Sequence, residues 1–181
     1  MKFEVKSQFV QKDVYEFQRV AAKTVLRGKT RASKTVFFIF AALFLLFGAY
    51  IGITNNEMTT AIGGLIAAVI ICIPALVYDR FISWSSWMRW RRANGRAEMI
   101  YAFSAESFTE QVGDRPPFTN KYSDLYACFE NKNYFFLFFS KREGYMLKKS
   151  DFVQGEPAKF RKFVEKQSDG RIQFYTVSDG K

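Results

Sequence analysis

The chain has 181 residues, enough for one ordinary domain together with a membrane segment but not for two large domains. Hydrophobic residues make up 49% of it, which excludes an intrinsically disordered protein, and the formal net charge is +10. It has two cysteines and no histidine. A disulfide framework is therefore excluded, and the commonest general base and transition-metal ligand is absent from the sequence.

Residues 1–34 are predicted to contain a cytoplasmic strand followed by an amphipathic helix. From Phe3 to Phe9 apolar residues alternate with charged or polar ones, as in a half-buried strand. Asp13 and Glu16 have the spacing of a capping box, in which Asp13 caps the helix and Glu16 reaches back to it. Apolar residues then recur at helical spacing, at Val14, Phe17, Ala21 and Val25.

Two uncharged apolar segments follow, over residues 35–53 and 59–78. At about 1.5 Å per residue, a helix of this length covers the roughly 30 Å hydrocarbon core of a bilayer. The extracytoplasmic connector of residues 54–58 is too short to hold a domain. The segments are therefore predicted to be antiparallel transmembrane helices 1 and 2. Two buried helices of a soluble protein are the alternative, which requires helices that are apolar on every face.

The distribution of basic residues predicts the orientation. Residues 1–34 have a net charge of +6 and residues 79–96 of +4, whereas the connector contains no Lys or Arg. By the positive-inside rule, a multi-pass protein of the inner (cytoplasmic) membrane with both termini in the cytoplasm is predicted. Residues 97–181 carry a net charge of only +1. The basic excess thus borders the membrane, which favours anionic lipids over nucleic acid as partners.

Small residues recur at four-residue spacing in the two apolar segments and are candidate helix-packing positions. They are Gly48 and Gly52 in the first segment, and Gly64 and Ala68 in the second. Such residues let two helix backbones approach closely. The same stripes would also serve a homo-oligomer, and the sequence does not separate the two uses.

Residues 79–97 are predicted to form a juxtamembrane helix that is rich in Trp and Arg. Tryptophan favours the headgroup level because its ring is apolar while its N–H needs a partner, and arginine is attracted to anionic headgroups. The candidate lipid-headgroup residues are Trp84, Trp87, Arg89, Arg91 and Arg92. An aromatic platform for another ligand is the alternative use of the tryptophans.

Residues 98–181 are predicted to form a cytoplasmic β domain. Short strands are predicted at 98–103, 107–112, 117–122, 125–130, 134–140 and 144–148, with a further short strand near 172–176. An amphipathic helix is predicted to begin at Glu156-Pro157. Because one face of the N-terminal strand would otherwise be exposed, residues 2–10 are predicted to add to this sheet along an edge.

The segments FSAESFTEQ and YSDLYACFENKNYFFLFFSKREGYMLKKSDF, behind two apolar spans and before an amphipathic helix, resemble the YcxB-like family of bacterial membrane proteins. The resemblance covers roughly residues 35–167. It implies a pleckstrin-homology-like (PH-like) soluble part, in which a bent antiparallel sheet is closed at one end by a C-terminal helix. Leu147 stands before Lys148 where the family often has proline. The resemblance implies no activity and no site residues.

Candidates for chemistry are sparse in this sequence. There is no glycine-rich phosphate loop, and no Ser or Cys can have a histidine base. A metal-binding pair or plain solvated surface are alternatives for Asp114, Asp124, Glu130 and Asp151. Anion binding or a solvated hairpin end are alternatives for Lys141-Arg142 and Lys148-Lys149. No catalytic, cofactor or metal residue is predicted, so we do not expect an enzyme.

These observations together predict an α+β membrane protein, with a two-helix transmembrane hairpin and a small antiparallel PH-like β-barrel or sheet domain with a C-terminal helix. Its predicted function is that of a membrane-anchored, non-enzymatic binding or scaffolding module that recognises a protein, peptide or lipid headgroup at the inner leaflet. One alternative is an accessory subunit of a larger membrane complex. The other is an enzyme acting on lipids or peptides. Expected partners are anionic lipids, with a protein partner or a second copy of the chain also open.

Overall fold

The chain divides into two units, which a computed structural model describes over residues 2–55 and 58–178. One unit is made of Met1–Val20 and Ser86–Lys181, and the other of Ala21–Ser85. Of the predicted connector, Asn56 and Glu57 lie outside the described residues. We call the unit of Met1–Val20 and Ser86–Lys181 the sheet unit, and the unit of Ala21–Ser85 the helical unit.

The helical unit consists mainly of apolar helix. Its helices are α2, Arg27–Thr54, and most of α3, Met58–Asn94, so each predicted apolar segment lies within one long helix. Helix α1, Gln11–Lys23, lies mostly in the sheet unit, as does the end of α3 from Ser86 onward. Both α2 and α3 are long and apolar enough to cross a membrane, and most of their large apolar side chains are exposed. Leu46, for example, is 67% exposed.

The predicted capping box at the start of α1 is wrong. With Asp13 as its cap the helix would begin at Val14, but it begins three residues earlier, at Gln11. The Asp13 carboxylate accepts a hydrogen bond from the backbone N–H of Val10 at 2.8 Å. Glu16 does not reach back along the helix, because Arg19 and Asn131 both donate to its carboxylate. Contacts with the rest of the sheet unit have overridden the local pattern.

The sheet unit contains two sheets, of five and four strands. Their orders are β4-β3-β2-β1-β8 and β7-β6-β5-β9. The strands are β1 Phe3–Ser7, β2 Met99–Phe103, β3 Ser107–Val112, β4 Phe118–Lys121, β5 Ala127–Glu130, β6 Tyr134–Phe138, β7 Gly144–Lys148, β8 Phe152–Gln154 and β9 Phe174–Thr176. Strand β9 runs parallel to β5, whereas the other pairings of the described strands are antiparallel. Over the described residues these are two separate sheets, not a closed barrel.

The N-terminal strand joins the C-terminal strands, as predicted. Val5 of β1 faces Tyr101 of β2 in the antiparallel register. The predicted edge position is wrong, however, because β1 also pairs with β8 on its other side. No sequence pattern predicts β8, a strand of only three residues that follows a 3-10 turn. Strand β1 is therefore an interior strand of its sheet.

The core of the sheet unit is aromatic. Helix α4, Pro157–Gln167, begins with a proline at its first position, where proline is well tolerated. It inserts the fully buried Phe160 between the sheets, with ring centroids 5.4 Å from Phe3, 4.8 Å from Phe103 and 5.0 Å from Phe135. Burial of a phenylalanine of this kind stabilises a fold by about 1.5–3 kcal/mol.

Strand β6 is covered on both faces, as its run of aromatic residues predicts. Phe135 and Leu137 are buried among the core residues. On the opposite face, Phe138 stacks on Phe17 of α1 with ring centroids 5.2 Å apart. Helix α1 thus packs against the outer face of the second sheet.

Candidate functional site

A cavity of about 430 Å³ lies in the sheet unit, where β7, the edge strand of the second sheet, faces β2 and β3 of the first. Helix α1 and residues 86–94 of α3 complete its wall. A volume of this size falls in the range of small-molecule binding sites. The aromatic residues that line it are Phe9, Phe17, Trp90, Tyr101 and Tyr145.

Glu110 lines this cavity from the inner face of the first sheet. It lies on the same face of β3 as Phe108, which is fully buried, and directly opposite Tyr101 of β2, which is 1% exposed. Those neighbours are core residues, so a carboxyl at this position is placed among apolar and aromatic groups. Glu110 itself is half-buried.

Tyr145 is the polar partner of the Glu110 carboxyl, and its hydroxyl favours the ionised form of that carboxyl. Asn120 Nδ2 donates a hydrogen bond to Tyr145 Oη at 3.1 Å. Asn120 is 8% exposed, so the residue that donates to Tyr145 is buried. Loss of hydration raises the pKa of Glu110, and the bond from Tyr145 offsets part of that rise. Burial likewise raises the pKa of Tyr145, which stays protonated as a donor.

Arg115 also borders the cavity, but its guanidinium is engaged elsewhere. Its Nη2 donates to the backbone carbonyl of Ala93 at 2.6 Å, and its Nη1 to Oδ1 of Asn94 at 3.2 Å. Arg115 therefore supplies hydrogen-bond donors at the C-terminal end of α3, where the helix dipole favours a positive charge. Of the described residues that line the cavity, Glu110 and Arg115 are the charged ones.

A smaller cavity, of about 220 Å³, lies beside three lysines, Lys132, Lys148 and Lys149. Lys148 Nζ is 2.8 Å from Asp13 Oδ2, and Lys149 Nζ is 3.2 Å from Glu130 Oε2. The charges of two of the three lysines are thus balanced by acids of the same fold. The arrangement does not favour an anion site.

The acids considered as a metal pair are dispersed. Glu130 is paired with Lys149 and Arg161, and Asp151 accepts a hydrogen bond from Ser7 at 2.8 Å. Among the described residues, no group of three or more His, Cys, Asp or Glu side chains could hold a metal ion. Asp114 and Asp124 are exposed, as are Lys141 and Arg142.

The predicted lipid-headgroup residues are solvent-facing arginines and partly covered tryptophans. Arg89, Arg91 and Arg92 are exposed and belong to the sheet unit. Trp84, in the helical unit, is 53% exposed. Trp87 stacks on Trp90 with ring centroids 5.4 Å apart, and Trp90 contacts Phe9 at the cavity wall.

The small residues of α2 and α3 lie where these two helices meet. A Cβ atom built on Gly48 would be 2.6 Å from Cα of Gly64, closer than any side chain tolerates. One built on Gly52 would be 2.7 Å from Cβ of Ala61. Ala68, on the same stripe as Gly64, is 4% exposed. The glycines are used within the chain for backbone approach of the two helices.

No pattern in the sequence predicts that Glu110, Tyr145 and Trp90 line one site. A local signal for Glu110 does exist. In Phe108-Thr109-Glu110-Gln111-Val112, strict alternation places the acid on the apolar side of the strand, between Phe108 and Val112. The cavity itself depends on how two sheets and two helices meet, which no local pattern reveals.

A model of the YcxB-like protein family matches residues 118–164. This confirms, for that part of the chain, the resemblance found in the sequence. The matched segment runs from β4 to α4 and includes Asn120 and Tyr145, whereas Glu110 lies ahead of it. No curated protein and no solved structure is detectably similar to the chain.

Proposed function

We propose that the chain is a membrane-anchored, non-enzymatic binding module that takes its ligand in the cavity beside β7. The observation that carries this proposal is the inward-facing carboxyl of Glu110. It lies beside Tyr145 in a ligand-sized cavity to which five aromatic residues contribute. Ligand sites combine apolar walls with a few fixed polar groups, and titratable groups with shifted pKa values concentrate at such sites.

The anchor in this proposal is a transmembrane hairpin of α2 and α3. Its support is the length of the two helices and the exposure of their apolar side chains, which in a soluble protein would be covered. Strand β1 precedes α2 and pairs with β2, which follows α3. That pairing requires both flanks to lie on one side of the bilayer, and the basic flanks favour the cytoplasmic side.

In the proposed arrangement, the sheet unit is a PH-like domain at the inner leaflet. Its two antiparallel-rich sheets, with α4 inserting Phe160 between them, agree with that architecture. Arg89, Arg91 and Arg92, with Trp84 and Trp87, would contact anionic headgroups, which attract basic residues near a membrane.

The test is to purify the full chain from native membranes in a mild detergent and to identify bound small molecules by native mass spectrometry. Val112→Trp fills the cavity, and Thr109→Trp is the matched control because Thr109 points to the outer face of the same strand. We expect one bound compound in the wild type and in the control, but not in Val112→Trp. Equal occupancy in Val112→Trp would place the ligand elsewhere. A stoichiometric protein partner without a small molecule would favour the accessory-subunit alternative.

A further inference from the structure

The cavity beside β7 combines one carboxyl with several aromatic rings. We infer, building on the proposed function, that its ligand is an organic ammonium ion carried on an apolar body. Glu110 supplies the negative charge at one wall, and the rings of Phe9, Phe17 and Trp90 lie along the others. The negative face of an aromatic ring attracts cations, and an acid beside such rings adds a direct ionic partner.

The hydrogen bonds around Glu110 leave it suited to receive a donor. Tyr145 donates a single hydroxyl hydrogen, whereas an ionised carboxylate has about four lone-pair positions. Asn120 donates to Tyr145 from the core side, which orients the hydroxyl that interacts with the carboxyl. An ammonium group would bring further N–H donors to the same carboxylate.

The other charge at the cavity does not favour an acidic ligand. Arg115 donates to Ala93 and Asn94 at the end of α3, and an anion would have to compete with those carbonyl groups. A neutral ligand would cover Glu110 without balancing its charge, which is unfavourable in an apolar environment. A cation both balances the charge and fits the aromatic wall.

The experiment compares two probes of nearly equal shape, phenethylammonium and its neutral analogue 2-phenylethanol. Binding of each to the full chain in a non-ionic detergent is measured by titration calorimetry, with detergent alone as the blank. We expect the ammonium to bind the wild type more tightly by about tenfold or more, the value of one charge-assisted hydrogen bond. Val112→Trp should bind neither probe.

Glu110→Gln removes the charge while it keeps an acceptor for Tyr145, and should bind the two probes equally. Glu106→Gln, which removes an exposed acid from the turn before β3, should retain the wild-type preference. Equal affinity of both probes for the wild type, or a preference that survives Glu110→Gln, would overturn the ammonium inference but leave the cavity as a binding site. Unchanged binding of the ammonium to Val112→Trp would also overturn it. If neither probe binds and no compound co-purifies, the proposed function fails as well.

Discussion

The Nζ atom of Lys148 on β7 lies 2.8 Å from Oδ2 of Asp13 on α1, although 134 residues separate the two along the chain. Asp13 is 3% exposed. Its carboxylate also accepts hydrogen bonds from Tyr134 Oη and from the backbone N–H of Val10, each at 2.8 Å. This one carboxylate therefore joins the first turn of α1 to two strands of the second sheet.

We expect Asp13→Ala to destabilise the sheet unit by about 3–5 kcal/mol, because the lysine and two hydrogen-bond donors lose a buried partner. The measurement is chemical unfolding of the full chain in detergent, followed by aromatic fluorescence. The control is Glu156→Ala, which breaks the exposed Glu156–Lys159 pair and should change the unfolding free energy by about 0.5 kcal/mol or less. Equal effects of the two substitutions would contradict this account.

Removal of residues 1–10 takes an interior strand out of the first sheet and leaves β2 and β8 without their shared neighbour. We expect the truncated chain to aggregate or to unfold at a lower temperature, since unpaired strand edges recruit other chains. A synthetic peptide of residues 1–10 should restore the melting behaviour. The same peptide with Phe3 and Val5 changed to Asp should not, because both side chains are buried. Unaltered melting of the truncated chain would show that β1 is dispensable.

Gly48→Ala should push α2 and α3 apart, because the added Cβ has only 2.6 Å to Cα of Gly64. We expect a loss of about 1–3 kcal/mol in the stability of the helical unit. Gly63→Ala is the matched control, since a Cβ there meets no atom within 4 Å and alanine favours helix. Thermal unfolding in detergent, together with a spin-label distance between α2 and α3, measures both effects. A larger loss for Gly63→Ala would exclude this packing.

The stability of the sheet unit should depend on pH through Glu110. Because its pKa is raised above the ordinary 4.5, the folded chain binds the proton more tightly than the unfolded chain. This contribution to stability is complete at pH values below 4.5 and is lost as pH rises through the raised pKa. Tyr145 and Tyr101, which also line the cavity, stay uncharged over this range because burial raises the pKa of each hydroxyl above its ordinary value.

Glu110→Gln removes this titration. The unfolding free energy of the variant minus that of the wild type should therefore increase with rising pH and level off above the raised pKa. The variant thus becomes more stable relative to the wild type as the pH rises. Urea unfolding of both chains across about pH 4 to 8 measures the difference. A difference that stays constant with pH would contradict the assignment.

The proposed topology is tested by cysteine labelling in intact cells. Cys72 is first replaced by Ala, and Cys128 is kept because it is buried. A cysteine at position 55, between the two apolar helices, should react with an impermeant maleimide from outside. One at position 178 should react only after the cells are opened. Labelling of position 178 in intact cells would reverse the orientation.

Local patterns in the sequence predicted most of the elements. The seven strands predicted after residue 97 and the helix at Pro157 are present, because alternation and helical spacing are properties of neighbouring residues. Strand β8 was missed since its three residues give too short a pattern, and this alone turned β1 from a predicted edge strand into an interior one.

Long-range contacts explain what the sequence could not predict. The capping-box prediction failed because Lys148 and Tyr134, both distant in the chain, bind the carboxylate of Asp13. The cavity was missed for the same reason, since its walls come from α1, α3, β2, β3 and β7. For Glu110 a local pattern does exist, because it is an acid on the apolar side of its strand.

The interior position of β1 has a consequence for biosynthesis. This strand leaves the ribosome before its partners β2 and β8, which are made only after α2 and α3, about 90 and 150 residues later. Until then Phe3 and Val5 remain uncovered, and Lys2, Glu4 and Lys6 between and beside them discourage premature association. Completion of the first sheet therefore waits for both long helices, and a nascent chain whose helices leave its two flanks on opposite sides of a bilayer never completes that sheet. In the proposed membrane topology, folding of the sheet unit is therefore a checkpoint on the insertion of α2 and α3.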